Sequence, residues 1–556
     1  MALVHRINSN FGFVLNTLYC KSIINIKRFV TEHNVVGYSN TTGTDKLINY
    51  KPFEEMLQFR QNEAKKCILV RLHDMKYISD LESFCKCYAT IVNIFPYRTV
   101  NDNNFVLMEL KSTEDVKKLQ NVAIYKPNTE YAHCVTPLFS FKARNKLHLN
   151  KSRNDISIYS NFQAPKTNEI KKLLEKVDSV SDQMISLYNI SKITDLDIRL
   201  RFYTADQISY YLSRLFANID VVPFGSSVNG FGQVGCDLDL LCKIVMNTDQ
   251  NFSLKKLIAM SQNIPLAERN EQKQFLELVG TMMKVFIPGI TDVKKILEAR
   301  VPIIKFYNLN TNMKCDLSST NTVALQMSKL LYVYGQLDWR IKPLVCTIRK
   351  WARVMDLTRE YPGNWITNFS LTLLIIFYLQ KKNILPSMNT VNCFVELSKS
   401  KNKAVDHNLN WFVSWERSIK RNNDESLSNL LYNFFEYYSV FDFKTQAICI
   451  KNGENKPKND FSPLYIHNPF NTTLNVSKNV NSSELMRLVN SFHTALNIML
   501  DSDKRDIISK LINLEPKTKT NHRFNNQETQ IRLEKKLLPN VTNINGLEKI
   551  QRNIIK

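Results

Sequence analysis

Acidic residues are absent from the first 31 positions, where Arg6, Lys21, Lys27 and Arg28 stand among Leu, Phe, Val, Ser and Asn. A basic, acid-free leader that can form an amphipathic segment reads as a mitochondrial transit peptide, drawn toward a negatively charged compartment. Residues 1–43 are assigned to it, and the mitochondrial matrix is the expected location. Cysteine is sparse and unpatterned. Of eleven, only Cys85 and Cys87 lie close together, and they lack the partner pair of a zinc or redox motif. Reduced, mostly structural thiols are expected. Long apolar runs are also missing: Leu371 to Leu379, within Ile366–Gln380, is too short to cross a bilayer. It reads as a buried core helix, so no membrane span is expected. Glycine is scarce, with 13 in 556 residues, which makes any cluster of it informative.

Basic charge and apolar residues are plentiful. Lys and Arg number 74 against 51 Asp and Glu, a formal charge of +23 that suits a polyanion such as nucleic acid better than a small neutral substrate. Apolar residues make up 44% of the chain, enough to build cores for two or three domains and to exclude wholesale disorder.

Residues 44–144 begin with a short helical lead-in and continue as strand, helix, strand, strand, helix: Cys67–Leu72, Ser79–Tyr88, Ala89–Phe95, Asn104–Leu110 and Thr113–Leu119. That order predicts a small ferredoxin-like, RRM-like α+β module. RNA-binding modules of this kind stack bases on aromatics of the central strands. Here those strands carry Ile68, Val70, Val106 and Met108, with Phe105 as the one candidate platform. Packing against a partner, such as a second copy of the chain, is the favoured role. Residues 145–164 read as a linker. Ile170–Leu187 and Asp206–Ala217 read as amphipathic helices, the first within a helical segment at 165–204. The insertion 246–293 contains a charged amphipathic helix, and residues 501–556 read as a basic flexible tail.

Four of the glycines fall in residues 224–241, FGSSVNGFGQVGCDLDLL: Gly225, Gly230, Gly232 and Gly235. They imply tight turns and close backbone approach. A strand followed by a Gly225-Ser226 turn aims N–H groups and a hydroxyl at an anion such as phosphate. Asp237 and Asp239 follow. On a strand, residues i and i+2 share a face, and two carboxylates side by side call for a divalent cation, Mg2+ or Mn2+. Asp316, carried by the strands around Pro302–Tyr307 and Met313–Cys315, is the candidate third carboxylate of a two-metal displacement.

The ordered set Gly225-Ser226, Asp237-x-Asp239 and Asp316 resembles the DNA polymerase β-type nucleotidyltransferase superfamily, in its non-canonical poly(A) polymerase and terminal uridylyltransferase branch. KPLVCTIRKWARVMDL at 342–357, NWITNFSLTLLIIFYLQ at 364–380 and SPLYIHNPFNTTLNVSKNV at 462–480 resemble that branch's helical domain. With the amino-terminal block and the GCDLDL variant, the likeness narrows to mitochondrial poly(A) polymerases and spans roughly residues 65–500. It implies an α/β palm at 205–320 packed on a helical poly(A)-polymerase-associated domain at 321–500. It also implies AMP transfer from ATP to RNA 3′ ends, with release of pyrophosphate and no template.

By the same resemblance, Ser226 contacts triphosphate oxygens, Asp237, Asp239 and Asp316 hold the metals, and Arg349 and Arg353 hold the triphosphate as paired cations. Asn368 and Phe369 stand where relatives carry a phosphate-contacting Ser and a base-stacking Tyr. Asn321 and Ser328 fall where relatives approach the ribose. Cys236 replaces the usual serine before the first catalytic Asp. Leu474 falls where uridine-selecting relatives carry a base-reading histidine, so ATP is the expected donor. A homodimer through the amino-terminal module is a further implication. Two other readings stay open at this point: a terminal uridylyltransferase, and a catalytically silent RNA-binding scaffold.

Overall fold

Helix α1 (Phe53–Lys65) leads into β1 (Cys67–Leu72), α2 (Ile78–Lys86), β2 (Ile91–Arg98), β3 (Asn104–Leu110) and α3 (Thr113–Val122). A short hairpin, β4 (Ile124–Tyr125) and β5 (Ala132–His133), precedes β6 (Leu138–Phe141). The computed structural model describes residues 51–125, 132–133, 136–142, 165–216, 219–244, 268–319, 322–391, 423–503 and 505–512. The leader 1–43, the linker 145–164, most of the 501–556 tail and Asn321 therefore lie outside the described residues.

The first sheet has the order β2-β3-β1-β6. β3 is antiparallel to β1 and β2, but β6 runs parallel to β1. The fourth strand thus departs from a fully antiparallel arrangement, because the extra hairpin reverses the chain once more before β6. Strand alternation divides the side chains. Ile68, Val70, Leu72, Val106, Met108 and Leu110 pack under Ile78, Leu81, Cys85, Val116 and Leu119 of the module's helices. Cys67, Leu69, Tyr97, Phe105 and Leu107 share a core with the palm. Phe105 is 3% exposed there and stacks on Tyr97, so it is not a platform for RNA bases. The partner that covers this face is the chain's own palm. Polar contacts fix the docking: the Tyr97 hydroxyl donates to Asn310 O (2.7 Å) and Tyr203 to Pro137 O (3.0 Å). Arg199 reaches Glu63 (3.0 Å), Glu109 (3.0 Å) and Asp195 (2.7 Å), which ties α1 and β3 to the palm.

The expected helix Ile170–Leu187 is two helices, α4 (Thr167–Leu174) and α5 (Val180–Ser191). The expected Asp206–Ala217 helix starts earlier, as α6 (Asp195–Leu212). Thr194 caps it reciprocally with Asp197, a Thr-x-x-Asp start signal. A boundary between residues 204 and 205 would cut through this helix. The palm follows as β7 (Ile219–Phe224), β8 (Leu238–Ile244), α7 (Glu268–Phe286), β9 (Ile290–Ile296), β10 (Ile303–Asn308) and β11 (Met313–Ser318). Its sheet order is β7-β8-β11-β10-β9, with β8 and β11 parallel and the other pairs antiparallel. Helix α7 is the amphipathic helix of the insertion and buries Leu276, Val279 and Met283 in the palm core.

The helical domain holds α8 (Thr322–Leu337), α9 (Ile341–Val354), α10 (Asn368–Lys381) and α11 (Leu427–Ser439). A ribbon, β12 (Gln446–Cys449) and β13 (Glu454–Pro457), then leads to α12 (Ser482–Asp501) and α13 (Ile507–Ile512). Helices α4 and α5 join the same core. Trp351 stacks on Phe492 at 5.6 Å and meets Phe435 edge-on at 4.8 Å. The apolar run of α10 is buried from Ser370 to Gln380, as expected of a core helix. Among the described residues no helix is long and apolar enough to cross a membrane.

Candidate active site

Sheet register assembles the site. Asp239 on β8 lies opposite Phe224 at the end of β7 and opposite Asp316 on β11, while Asp316 lies opposite Lys305 on β10. Phe224, Asp239, Asp316 and Lys305 therefore form one row across four strands, with the Gly225 turn at one end. Asp237 immediately precedes β8, two residues from Asp239.

The turn needs its glycines. Gly225 has φ +65°, and a Cβ on it would sit 2.5 Å from Asp239 Oδ2. At Gly232 a Cβ would fall 2.4 Å from the Ser226 carbonyl oxygen, because the chain returns across the turn. The N–H of Gly225 donates to Ser328 Oγ (2.7 Å), and that hydroxyl donates to Ala324 O (2.7 Å). Ser328 is thus buried beneath the turn as its support, with its hydroxyl committed there rather than to a ribose. Ser226 remains half-exposed above, its Oγ 3.4 Å from Cys236 Sγ.

Arg201, buried on α6, holds the two catalytic segments together from behind. Its guanidinium donates to Ser227 Oγ (2.8 Å), Asp237 O (3.1 Å), Cys236 O (2.6 Å) and Cys236 Sγ (3.4 Å). Sequence reasoning missed it, although a cation in the otherwise apolar LRF stretch is a legible oddity. It also missed Lys305, whose ammonium pairs with Asp316 Oδ2 at 2.5 Å. Only strand register brings those two together.

The carboxylates act on one another. Burial, and then the charges of Asp316 and Asp237, push the Asp239 carboxyl up to about 7; Arg201 and Lys305 oppose this. Burial and Asp316 likewise raise Asp237. Clustered acids that resist joint ionisation fit a divalent cation by charge, and their hard oxygen donors fit it by chemistry. Among the described residues no group of three ligands is already closed around a metal position. Asp316 is engaged by Lys305 instead.

The remaining candidates lie on the helical domain. Arg349 points inward, donating to Phe231 O (2.9 Å) and to Thr372 Oγ1 (3.0 and 2.6 Å); burial lowers its pKa to about 10. Arg353 is exposed and pairs with Glu360 at 2.7 Å. The two arginines therefore do not form an open cationic pair. Arg349 ties the glycine-rich segment to α9 and α10, and Arg353 lies on the rim. Asn368 begins α10, exposed, next to the Thr367 cap, and Phe369 is half-buried against the helical core. Leu474 closes a turn, its N–H bonded to Asn471 O and its carbonyl to Asn468 N.

A mixed five-stranded palm that aligns a Gly-Ser turn with clustered aspartates, packed on a helical domain, defines a nucleotidyltransferase. A family model for the central palm domain of poly(A) RNA polymerase, mitochondrial-like, matches residues 180–336, and one for Cid1 family poly A polymerase matches residues 426–474. The mitochondrial poly(A) RNA polymerase of Homo sapiens is 34% identical over 464 residues, covering 81% of this chain and 77% of the relative. That of Drosophila melanogaster is 32% identical, covering 78% and 74%. A crystal structure of mtPAP in complex with ATPγS superposes with a TM-score of 0.71 at 32% identity, over 83% of this chain and 97% of the other. The chain belongs to the mitochondrial poly(A) RNA polymerase family.

Proposed function

We propose that the chain transfers AMP from ATP to the 3′-OH of mitochondrial RNA in the matrix, without a template, releasing pyrophosphate. The cross-strand row of the Gly225 turn, Asp239, Asp316 and Lys305 is the observation that carries this reading. Ser226, above the turn, binds triphosphate oxygens. Asp316 orients the attacking hydroxyl toward the α-phosphate, and Lys305 holds Asp316 in place. Asp237, Asp239 and Asp316 would hold Mg2+ or Mn2+, which would supply charge neutralisation at the phosphate and lower the pKa of the attacking hydroxyl. Arg349 keeps the glycine-rich segment against the helical domain, and Asn368 and Arg353 offer polar contacts at the cleft edge. The Phe369 ring stacks on the base, and Leu474 offers uracil no hydrogen-bond partner, which favours ATP.

Primer extension with each of the four nucleotides separately tests the reading. Long tails with ATP are expected, and exclusive use of UTP would overturn it. Leu474→His is expected to raise incorporation of UTP relative to ATP about tenfold, the worth of one hydrogen bond of roughly 1 kcal/mol or slightly more.

The amino-terminal module keeps the strand–helix–strand–strand–helix order of an RRM relative, and its inner face is occupied by the palm. Its outer edge strand β2 exposes Val92 (53%). A homodimer through this module uses that outer surface. Sedimentation is expected to give a dimer mass for the full chain and a monomer mass for Val92→Glu. A monomeric full chain would remove the dimer.

A further inference from the structure

Between α9 and α10 the chain passes through a loop, residues 356–366, that the chemistry above uses only at Glu360. The loop is firmly built. Tyr361 and Trp365 meet edge to face, with centroids 5.8 Å apart and planes at 83°. Arg359 lies over the Trp365 ring at 4.4 Å while Asp356 holds its guanidinium at 2.9 and 2.6 Å. Gly363 folds so closely onto the indole that a Cβ would fall 2.1 Å from it. From the segment leading into α12, Asn479 donates to the carbonyls of Gly363 (2.8 Å) and Trp365 (2.7 Å). The Tyr361 ring nevertheless stays 66% exposed. An ordered loop that leaves a large ring in water is organised for something other than the core.

Its position says what that is. Glu360, next to Tyr361, pairs with Arg353 at 2.7 Å and reaches Lys314 at 3.9 Å. Lys314 is on β11, two residues before Asp316, and Lys305 neighbours Asp316 on β10. Glu360 therefore brings the loop that carries the exposed Tyr361, together with the cations Lys314 and Arg353, to the strand that carries Asp316. A polymerase without a template cannot hold its primer by base pairing. It needs features that every nucleotide shares, the flat face of the base and the phosphate, so that the strand can slip by one residue after each addition.

We propose that Tyr361 is a stacking platform for the 3′-terminal bases of the single-stranded RNA primer, with Lys314 and Arg353 meeting the phosphates beside it. This rests on the reading that the chain extends RNA. The test is fluorescence anisotropy of the full-length protein in EDTA with a labelled oligoadenylate RNA. The same RNA carrying abasic sugars at its last two positions serves as the comparison. Wild type is expected to bind the intact RNA about tenfold more tightly than the abasic one, within the range that one aromatic platform contributes. Tyr361→Ala is expected to weaken binding of the intact RNA about tenfold and to lose the discrimination, while Tyr361→Phe keeps both. If Tyr361→Ala discriminates as wild type does, or weakens both RNAs equally, the platform is overturned. Failure of the wild type to extend RNA with any nucleotide would instead sink the enzymatic reading, and the intact-to-abasic ratio would still decide the role of Tyr361.

Discussion

Asp239→Ala is expected to reduce nucleotide addition by at least about three orders of magnitude, because several kcal/mol of charge stabilisation are lost at 1.4 kcal/mol per tenfold. The fold should survive and even gain. The Asp239 carboxyl titrates near 7 in the folded chain, chiefly through burial, against the ordinary 3.8. Between those values the unfolded chain releases a proton that the folded chain retains, so rising pH favours unfolding. The penalty is absent below about pH 4 and complete above about pH 7. Asp239→Asn removes it. In EDTA that variant should melt above wild type at pH 8 and close to it at pH 4, a difference on the order of 1 kcal/mol or more. Added Mg2+ or Mn2+ should raise the melting temperature of wild type and leave that of the variant nearly unchanged. Calorimetry and primer extension measure both effects, and RNA extension by purified Asp239→Ala would refute the metal assignment.

Arg201→Ala is expected to be the second severe change, acting on stability and activity together. It strands the Cys236 and Asp237 carbonyls and the buried Ser227 hydroxyl, which now share one guanidinium. Losing these charge-assisted hydrogen bonds costs about 1.5–3 kcal/mol, or a melting temperature lower by roughly 5 °C. Arg201 touches the backbone that carries the carboxylates, so it is a positioning residue. Its loss should fall on kcat more than on the KM for ATP, since the triphosphate still finds Ser226. Arg201→Lys keeps the charge but cannot span both segments. It should recover much of the stability and little of kcat. A variant with normal kcat would show that the Gly-Ser turn and Asp237 hold their geometry without it.

The catalytic outline was legible in the residues because it is local. The GCDLDL segment, the glycine cluster before it and the apolar alternation around Asp316 each need only a few neighbouring positions; strand periodicity places Asp239 and Asp316, whereas Asp237, expected on the same strand, lies just ahead of β8. The helical domain was legible for a similar reason: a continuous apolar run such as Leu371–Leu379 has one favourable place, the core. Helix starts were less well read, since Thr194 and Asp197 carry the signal of α6 but compete with the stronger amphipathic pattern downstream.

Other features needed the assembled structure, because they depend on which faces meet. Phe105 was the one candidate platform for RNA bases, and only packing showed it on the sheet face opposite Ile68, closed against the palm. Spacing put Arg349 and Arg353 on one helical face, yet the carbonyl of Phe231 draws the first inward and Glu360 keeps the second at the rim. Ser328 was expected near a ribose and instead supports Gly225. By itself, the sequence determined that this chain carries three candidate aspartates, a Gly-Ser turn ahead of two of them and an acid-free stretch over its first 31 residues, since those are properties of composition and short-range order. Tertiary structure alone decided that Arg201 and Lys305 meet the catalytic candidates and that Glu360, next to Tyr361, reaches Lys314. Those partners lie on different strands, helices and loops, and strand register and domain packing, which no local pattern encodes, bring them together.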